Sequence, residues 1–202
     1  MTAQELHFFN NVAADWDRRD CLTTPEKIDR IMDLGGVKPG DAILDLGTGT
    51  GVLLPFLASR IGQEGSITAV DLSTEMLRLA TEKFRGLTPK PRFLQLDFEK
   101  QAVPGRYNHI TMYCVLPHLE TPLQTLAMLC RQNLLPGGNI LIAFPCDARR
   151  INSIHRHKTV DAHALLPARE MTDYLCAHAF DARLLADTPD LYLIAIRGLK
   201  SM

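Results

Sequence analysis

A chain of 202 residues, 46% hydrophobic and 22% charged, has the size and composition of one globular domain and excludes a disordered tail or two comfortable domains. Its net charge of −1 gives no general electrostatic hold on nucleic acid. No apolar run approaches the ~18 residues of a bilayer span and no signal-like N-terminus is seen, so a cytoplasmic chain without a membrane partner is expected.

In chain order, residues 5–20 carry Phe8, Phe9, Val12 and Trp16 at helical spacing. Thr24-Pro25-Glu26 starts a second helix, with Thr24 as N-cap and Pro25 in the first turn, and Gly35-Gly36 ends it. Ile43-Leu44-Asp45-Leu46 reads as the end of a buried strand. It runs at once into Gly47-Thr48-Gly49-Thr50-Gly51 and then into a helix over 52–60. The segment 66–71 reads as the next strand and ends in Asp71. Ser73 is placed to cap a helix whose apolar positions include Met76, Leu77 and Ala80. A third strand is expected over 92–98, a fourth over 107–116, a helix over 121–132, then a turn at 134–139 and a fifth strand over 140–144. The segment 146–170 has no assignable motif. A helix over 171–179 and two strands, 181–186 and 191–196, joined at Thr188-Pro189-Asp190, complete the chain. Cys21, Cys114, Cys130, Cys146 and Cys176 stand singly, without the C-x-x-C pairs of a zinc ribbon, and read as small apolar residues.

A strand, a glycine turn and a helix N-terminus make a ligand cradle. Backbone N–H groups are exposed there, the helix dipole adds partial positive charge, and the missing Cβ atoms let a ligand approach the main chain. Asp71 lies about 20 residues past the glycines, where an acid can accept both hydrogen bonds of a ribose diol. Together these features predict a nucleoside-containing cofactor.

The spacing G-x-G-x-G, preceded by Asp45 and followed by Val70-Asp71-Leu72-Ser73, differs from the dinucleotide fingerprint G-x-G-x-x-G. It resembles the class I S-adenosylmethionine-dependent methyltransferases, of the small-molecule type found in menaquinone and ubiquinone biosynthesis. That resemblance implies an α/β, Rossmann-like, seven-stranded and mostly parallel sheet with an antiparallel last strand and helices on both faces. It divides the chain into an N-terminal helical lid (1–40), a cofactor-binding core (41–144), a substrate-covering segment (145–170) and a last helix with a strand pair (171–202). It implies that Asp45, Gly47, Thr48, Gly49 and Gly51 receive the methionine end of S-adenosylmethionine and that Asp71 holds the ribose. Leu72 and Met76 would lie near the adenosine, Asp97 would accept from the adenine amino group with Phe98 against the ring, and Cys114 would face the cofactor. The Asn/Asp-Pro-Pro-aromatic tetrad of nucleic-acid amino methylation is absent after the fourth strand, where Tyr113-Cys114-Val115-Leu116 stands. The expected reaction is methyl transfer to a small-molecule acceptor, leaving S-adenosylhomocysteine.

In such a transfer the cofactor brings the reactivity, and the protein supplies alignment and, for an oxygen or amine acceptor, a base. His118 follows the fourth strand and is the candidate base; Trp16, Tyr113, His118, His155 and His157 are the candidate substrate contacts. Two alternatives stay open. One is a non-catalytic cofactor-binding or metal-handling protein using His155, His157 and His163, since two histidines one residue apart share a side of an extended chain. Asp161 and Cys146 are possible further members of that set but nothing in the spacing forces them, and no metal is expected. The other is an NAD-dependent oxidoreductase, disfavoured by the glycine spacing and by Asp97.

Overall fold

The computed structural model describes residues 2–19, 22–157 and 163–199, with the backbone alone at positions 19 and 157. Three N-terminal helices come first, α1 (Ala3–Val12), α2 (Trp16–Arg19) and α3 (Pro25–Gly35), with a 3₁₀ turn at Ala13–Asp15 between the first two. The core then runs β1 (Ala42–Leu46), α4 (Leu54–Ile61), β2 (Ser66–Asp71), α5 (Thr74–Lys83), β3 (Arg92–Gln95) and β4 (Tyr107–Tyr113). A 3₁₀ turn at Leu116–His118 leads to α6 (Pro122–Gln132), β5 (Leu134–Phe144), α7 (Ala148–His157), α8 (Ala168–Ala177), β6 (Phe180–Thr188) and β7 (Leu191–Leu199).

The strands form one seven-stranded sheet in the order β3-β2-β1-β4-β5-β7-β6. All neighbours run parallel except β7, which is antiparallel to both β5 and β6. The expected Rossmann-like sheet with its antiparallel last strand is therefore present. Strand alternation divides the core between the two faces. Leu44, Leu46, Ile110, Met112, Ile140 and Ile142 pack with Leu126 and Leu129 of α6 and Leu175 of α8. Ile43, Ile67, Ala69, Leu141 and Ala143 pack with Ile28, Ile31 and Met32 of α3 and Leu54, Leu57 and Ile61 of α4. The polarity of α3 follows its sequence. Thr24 sits extended at the N-cap, Pro25 opens the first turn, and Gly36 closes it at φ +75°, donating its N–H to the carbonyls of Met32 and Asp33.

Several boundaries differ from expectation, the fourth strand among them, which ends at Tyr113 instead of 116. The third strand ends at Gln95, because the Asp97 carboxylate accepts the N–H of Glu99 at 3.2 Å and turns the chain out of the sheet. The fifth begins at Leu134 instead of Ile140. Pro136-Gly137-Gly138 is absorbed as an irregularity in the β4–β5 register, where a Cβ on Gly138 would lie 2.6 Å from the Asn108 carbonyl oxygen. The last helix starts at Ala168, three residues before the expected Met171.

At the amino ends of the strands, opposite the site described next, a buried polar cluster ties β1, β4 and β5 together. His109 Nε2 lies 3.0 Å from Asp41 Oδ2, and its Nδ1 lies 2.9 Å from Asn139 Oδ1. The Asn139 amide nitrogen donates to the Gly35 carbonyl at 3.0 Å. Removing one partner of a buried pair strands the other, so His109→Phe is expected to destabilise the fold by about 3 kcal/mol. The check is the urea unfolding midpoint of the variant against the parent.

Candidate functional site

Strand order reverses between β1 and β4, and open α/β sheets leave a crevice at the carboxyl ends of their strands at such a point. A cavity of about 560 Å³ opens there, within the range of small-molecule sites.

Asp45, one residue before the end of β1, forms its floor. It is 2% exposed. Asp45 Oδ1 accepts the hydroxyl of Thr111, its register partner on β4, at 2.7 Å. Asp45 Oδ2 is equally buried and, like the Thr48 hydroxyl oxygen near it, makes no hydrogen bond of good geometry among the described residues. Burial pushes the Asp45 carboxyl up from its ordinary 3.8 to about 6, with the Thr111 and Thr48 hydroxyls opposing and the charge of nearby Asp71 adding to it.

The glycine loop continues from this floor. A Cβ on Gly47 would meet Val115 at 2.5 Å, so the φ of +66° and the tight approach both demand glycine. At Gly49, φ +56°, a Cβ would have only the Trp16 indole nitrogen within reach, at 3.9 Å, leaving a stretch of bare main chain open to the cavity. Asp71 closes β2 beside it. Its two oxygens accept the N–H groups of Gly49 at 2.8 Å and Ser73 at 2.9 Å. Burial raises the Asp71 carboxyl against those backbone bonds. Each carboxylate oxygen keeps acceptor capacity beyond its one backbone bond. Leu72, Met76, Asp97 and Phe98 line the adjoining wall. The Ser73 side chain caps α5 by accepting the Met76 N–H at 3.2 Å, which fixes that wall.

Across the cavity, Tyr113 ends β4, its hydroxyl 2.7 Å from that of Thr23. Cys114 follows at φ +58°, an uncommon conformation for a side-chain-bearing residue, and turns the chain out of the sheet toward His118. The N-terminal helices α1 and α2 lie on top, with Phe8, Phe9 and Trp16 in the cavity wall. Polar contacts fasten them. Asn10 Oδ1 accepts the Ser73 hydroxyl at 2.7 Å, and Asp17 accepts the Thr50 hydroxyl at 2.5 Å and the Lys83 ammonium at 2.7 Å.

Of the residues singled out from sequence, Trp16, Asp45, Gly47, Thr48, Gly49, Asp71, Leu72, Met76, Asp97, Phe98, Tyr113, Cys114, His118 and His155 all meet at this cavity. Gly51 does not line it. At φ +87° a Cβ there would strike Phe84 and Leu54, so its glycine serves packing behind the loop. Within the segment expected to cover the site, residues 148–157 form a helix, α7, which brings Arg150, Ile151, Ile154 and His155 to the cavity. An extended chain is what would have put His155 and His157 on one side, and the helix removes that premise. The side chain of His157 lies outside the described residues, as does Asp161. Among the described residues no group of three or more His, Cys, Asp or Glu side chains is placed to hold a metal ion, and no helix is long and apolar enough to cross a membrane. Sequence reasoning missed Glu5, which reaches His118 from the lid. Its spacing from Thr2 signals only a helix cap, which accounts for its Oε2 contacts and not for Oε1 on His118.

Against known proteins, residues 43–138 match the family profile described as a methyltransferase domain. A ubiquinone/menaquinone biosynthesis C-methyltransferase, UbiE, from Vibrio cholerae is 30% identical over 142 residues, covering 66% of this chain and 54% of that protein. The chain spans about half the length of the curated relatives it matches. The DhpI–SAH complex superposes with a TM-score of 0.75 at 17% identity, covering 97% of this chain and 96% of that one. An S-adenosylmethionine-dependent methyltransferase from Aquifex aeolicus gives 0.71 at 20% identity, covering 93% and 97%. At these identities the two structures establish the shared fold.

The raised Asp45 carboxyl yields a test of the site's electrostatics in the unliganded protein. The folded chain holds this proton more tightly than the unfolded one, so the stabilisation is complete below about pH 4 and is lost as pH climbs through about 6. Asp45→Asn is expected to unfold at higher urea than the parent at neutral pH, by up to about 3 kcal/mol, with the difference closing near pH 4. Urea titrations at a series of pH values make the comparison.

Proposed function

From the premise that the chain belongs to the class I S-adenosylmethionine-dependent methyltransferases, we propose that it transfers a methyl group from that cofactor to a small-molecule acceptor, leaving S-adenosylhomocysteine. One observation carries the assignment of the cofactor end. Asp45 Oδ2 is a buried carboxylate oxygen that makes no well-formed hydrogen bond among the described residues, at the foot of a loop stripped to main chain by Gly47 and Gly49. A cationic ligand group supplies both the missing donor and the opposing charge that burial otherwise denies this acid. The ammonium of the methionine moiety meets that requirement, with Thr48 beside it.

In this reading Asp71 accepts the ribose hydroxyls while Gly49 and Ser73 hold its carboxylate in place. Leu72 and Met76 flank the adenosine, and Asp97 accepts from the adenine amino group with Phe98 against the ring. Cys114 borders the cofactor, and Trp16, Tyr113, His118 and His155 face the acceptor. S-adenosylmethionine, when bound, supplies an electrophilic methyl group on a sulfonium. The chain's part is to bind and align the two reactants, to exclude water with the lid and α7, and to hold a proton at His118 where the acceptor must lose one. The curated quinone-biosynthesis relative acts on carbon, and the apolar cavity wall is consistent with a largely apolar acceptor here. Neither nucleic acid nor membrane is part of this reading.

Two measurements test it. Calorimetry should show S-adenosylmethionine binding that weakens as pH falls below about 6, because protonating Asp45 removes the charge the ligand needs, and Asp71→Ala should weaken it by roughly 1.5–3 kcal/mol. Equal affinity for parent and Asp71→Ala would count against the ribose assignment. Incubation with methyl-labelled cofactor and a metabolite extract should label a small molecule; label found only on protein or nucleic acid would refute the acceptor class.

A further inference from the structure

Glu5 is only 2% exposed, although it belongs to a surface helix near the chain's N-terminus. Its Oε2 accepts the N–H of Thr2 at 2.8 Å and the Thr2 hydroxyl at 3.2 Å, completing a capping box with the Thr2 hydroxyl on the Glu5 N–H. A capping box works at a surface and does not require burial. Glutamate is almost never buried unless paired, and the pair is His118, whose Nδ1 lies 2.9 Å from Glu5 Oε1. Burial raises the Glu5 carboxyl, but the His118 and Thr2 hydrogen bonds outweigh it and hold the group below its ordinary value.

The contact fixes which nitrogen of the ring is available. An ionised carboxylate only accepts, so Nδ1 carries the hydrogen and, in the neutral ring, Nε2 carries the lone pair. Among the described residues, Nδ1 makes the ring's only hydrogen bond. Phe9 from α1 stands edge-on to the ring at 5.4 Å, and His155 from α7 tilts over it at 5.2 Å. The titratable groups around His118 are thus Glu5 on α1 and His155 on α7. Beyond the turn is Glu99, whose carboxylate accepts the N–H groups of Glu120 and Thr121, while the His163 N–H bonds the Pro117 carbonyl.

We propose that Glu5 is a positioning residue, carried in by the lid, that orients His118 with Nε2 toward the acceptor as its proton acceptor, and that the acceptor is a neutral, largely apolar molecule bearing a weakly acidic hydroxyl, a phenol being the simplest. This rests on the methyltransferase reading. A thiol ionises near neutral pH without such help. An ammonium would leave water for a wall that includes Phe8, Phe9, Leu119, Ile151 and Ile154, at a large desolvation cost. A phenol enters neutral and needs a base only as its oxygen reacts. Its proton passes to Nε2, the oxygen keeps the electron pair that becomes its bond to the methyl carbon, and the electrons of the broken sulfur–carbon bond return to sulfur. The Glu5 carboxylate then lies against the imidazolium that results, as the third group of a nucleophile–base–carboxylate arrangement does.

The test combines ¹⁵N spectroscopy of the imidazoles with methyl transfer to 2-naphthol and 2-naphthalenethiol as probes. The parent is expected to show His118 protonated at Nδ1 when neutral. Glu5→Ala should shift it to the Nε2-protonated form, and Glu5→Gln, which keeps the shape and a carbonyl acceptor, should restore the parent signal. On 2-naphthol, Glu5→Ala should lower kcat about tenfold or more with KM for S-adenosylmethionine unchanged, and on the thiol it should lower kcat far less. An Nε2-protonated ring in the parent, a tautomer indifferent to Glu5→Ala, equal losses on both probes, or transfer to neither probe by the parent would each overturn the proposal. Failure of the parent to bind S-adenosylmethionine in calorimetry is a separate result and falls on the methyltransferase reading, since the imidazole signals are read without cofactor.

Discussion

The site depends on an acid that the fold has taken out of water and left half satisfied. Asp45 sits at the carboxyl end of the central strand, where β2 and β4 flank it and Thr111 engages one of its oxygens. Burial without a full set of partners is unfavourable for a carboxylate, and the raised pKa expresses that cost. A structure that keeps such a group has a use for it. In the proposed reading a ligand's positive charge meets Asp45 at this strand end, and Gly47 and Gly49 leave the approach open by having no side chains.

The remaining parts of the cavity follow from that arrangement. Because β1 and β2 are parallel neighbours with Asp45 opposite Ala69, the acid ending β2 falls beside the glycine loop, and the loop's own N–H at Gly49 orients it. Because β4 lies on the other side of β1, the residues after it face the same opening. The uncommon backbone of Cys114 is where the chain changes from strand to the turn that presents His118. The proposed cofactor and acceptor sides would thereby lie on either side of one strand.

Helix α1 and the turn leading into α2 complete the enclosure through a few polar contacts and a small apolar patch, whereas α3 packs into the main core. Val12, Ala13 and Met76 form a separate cluster with Phe8, Phe9 and Trp16 around it, apart from the two main layers of the core. A segment held this way can open without disturbing the sheet, since its contacts are few and local. Glu5 and Asp17 fasten opposite ends of it, one at His118 and the other at Thr50 and Lys83.

Local periodicity determined most of the elements, and the glycine turn with its two following acids pointed to residues that share one cavity, because strand, turn and helix there are consecutive in the chain and their chemistry is local. The same local reasoning set the end of the third strand too late, since Asp97 competes for the backbone through its own side chain. It also grouped Gly51 with the cradle, because spacing cannot distinguish a glycine bare toward a ligand from one pressed against Phe84. An extended 146–170 segment was the basis for pairing His155 with His157, and α7 shows that neighbours in sequence need not share a face. Glu5 and His118 stand 113 residues apart. Nothing in a capping box announces a second partner, and only the folding of the N-terminal helix over the end of β4 decided that this carboxylate would be buried against that imidazole.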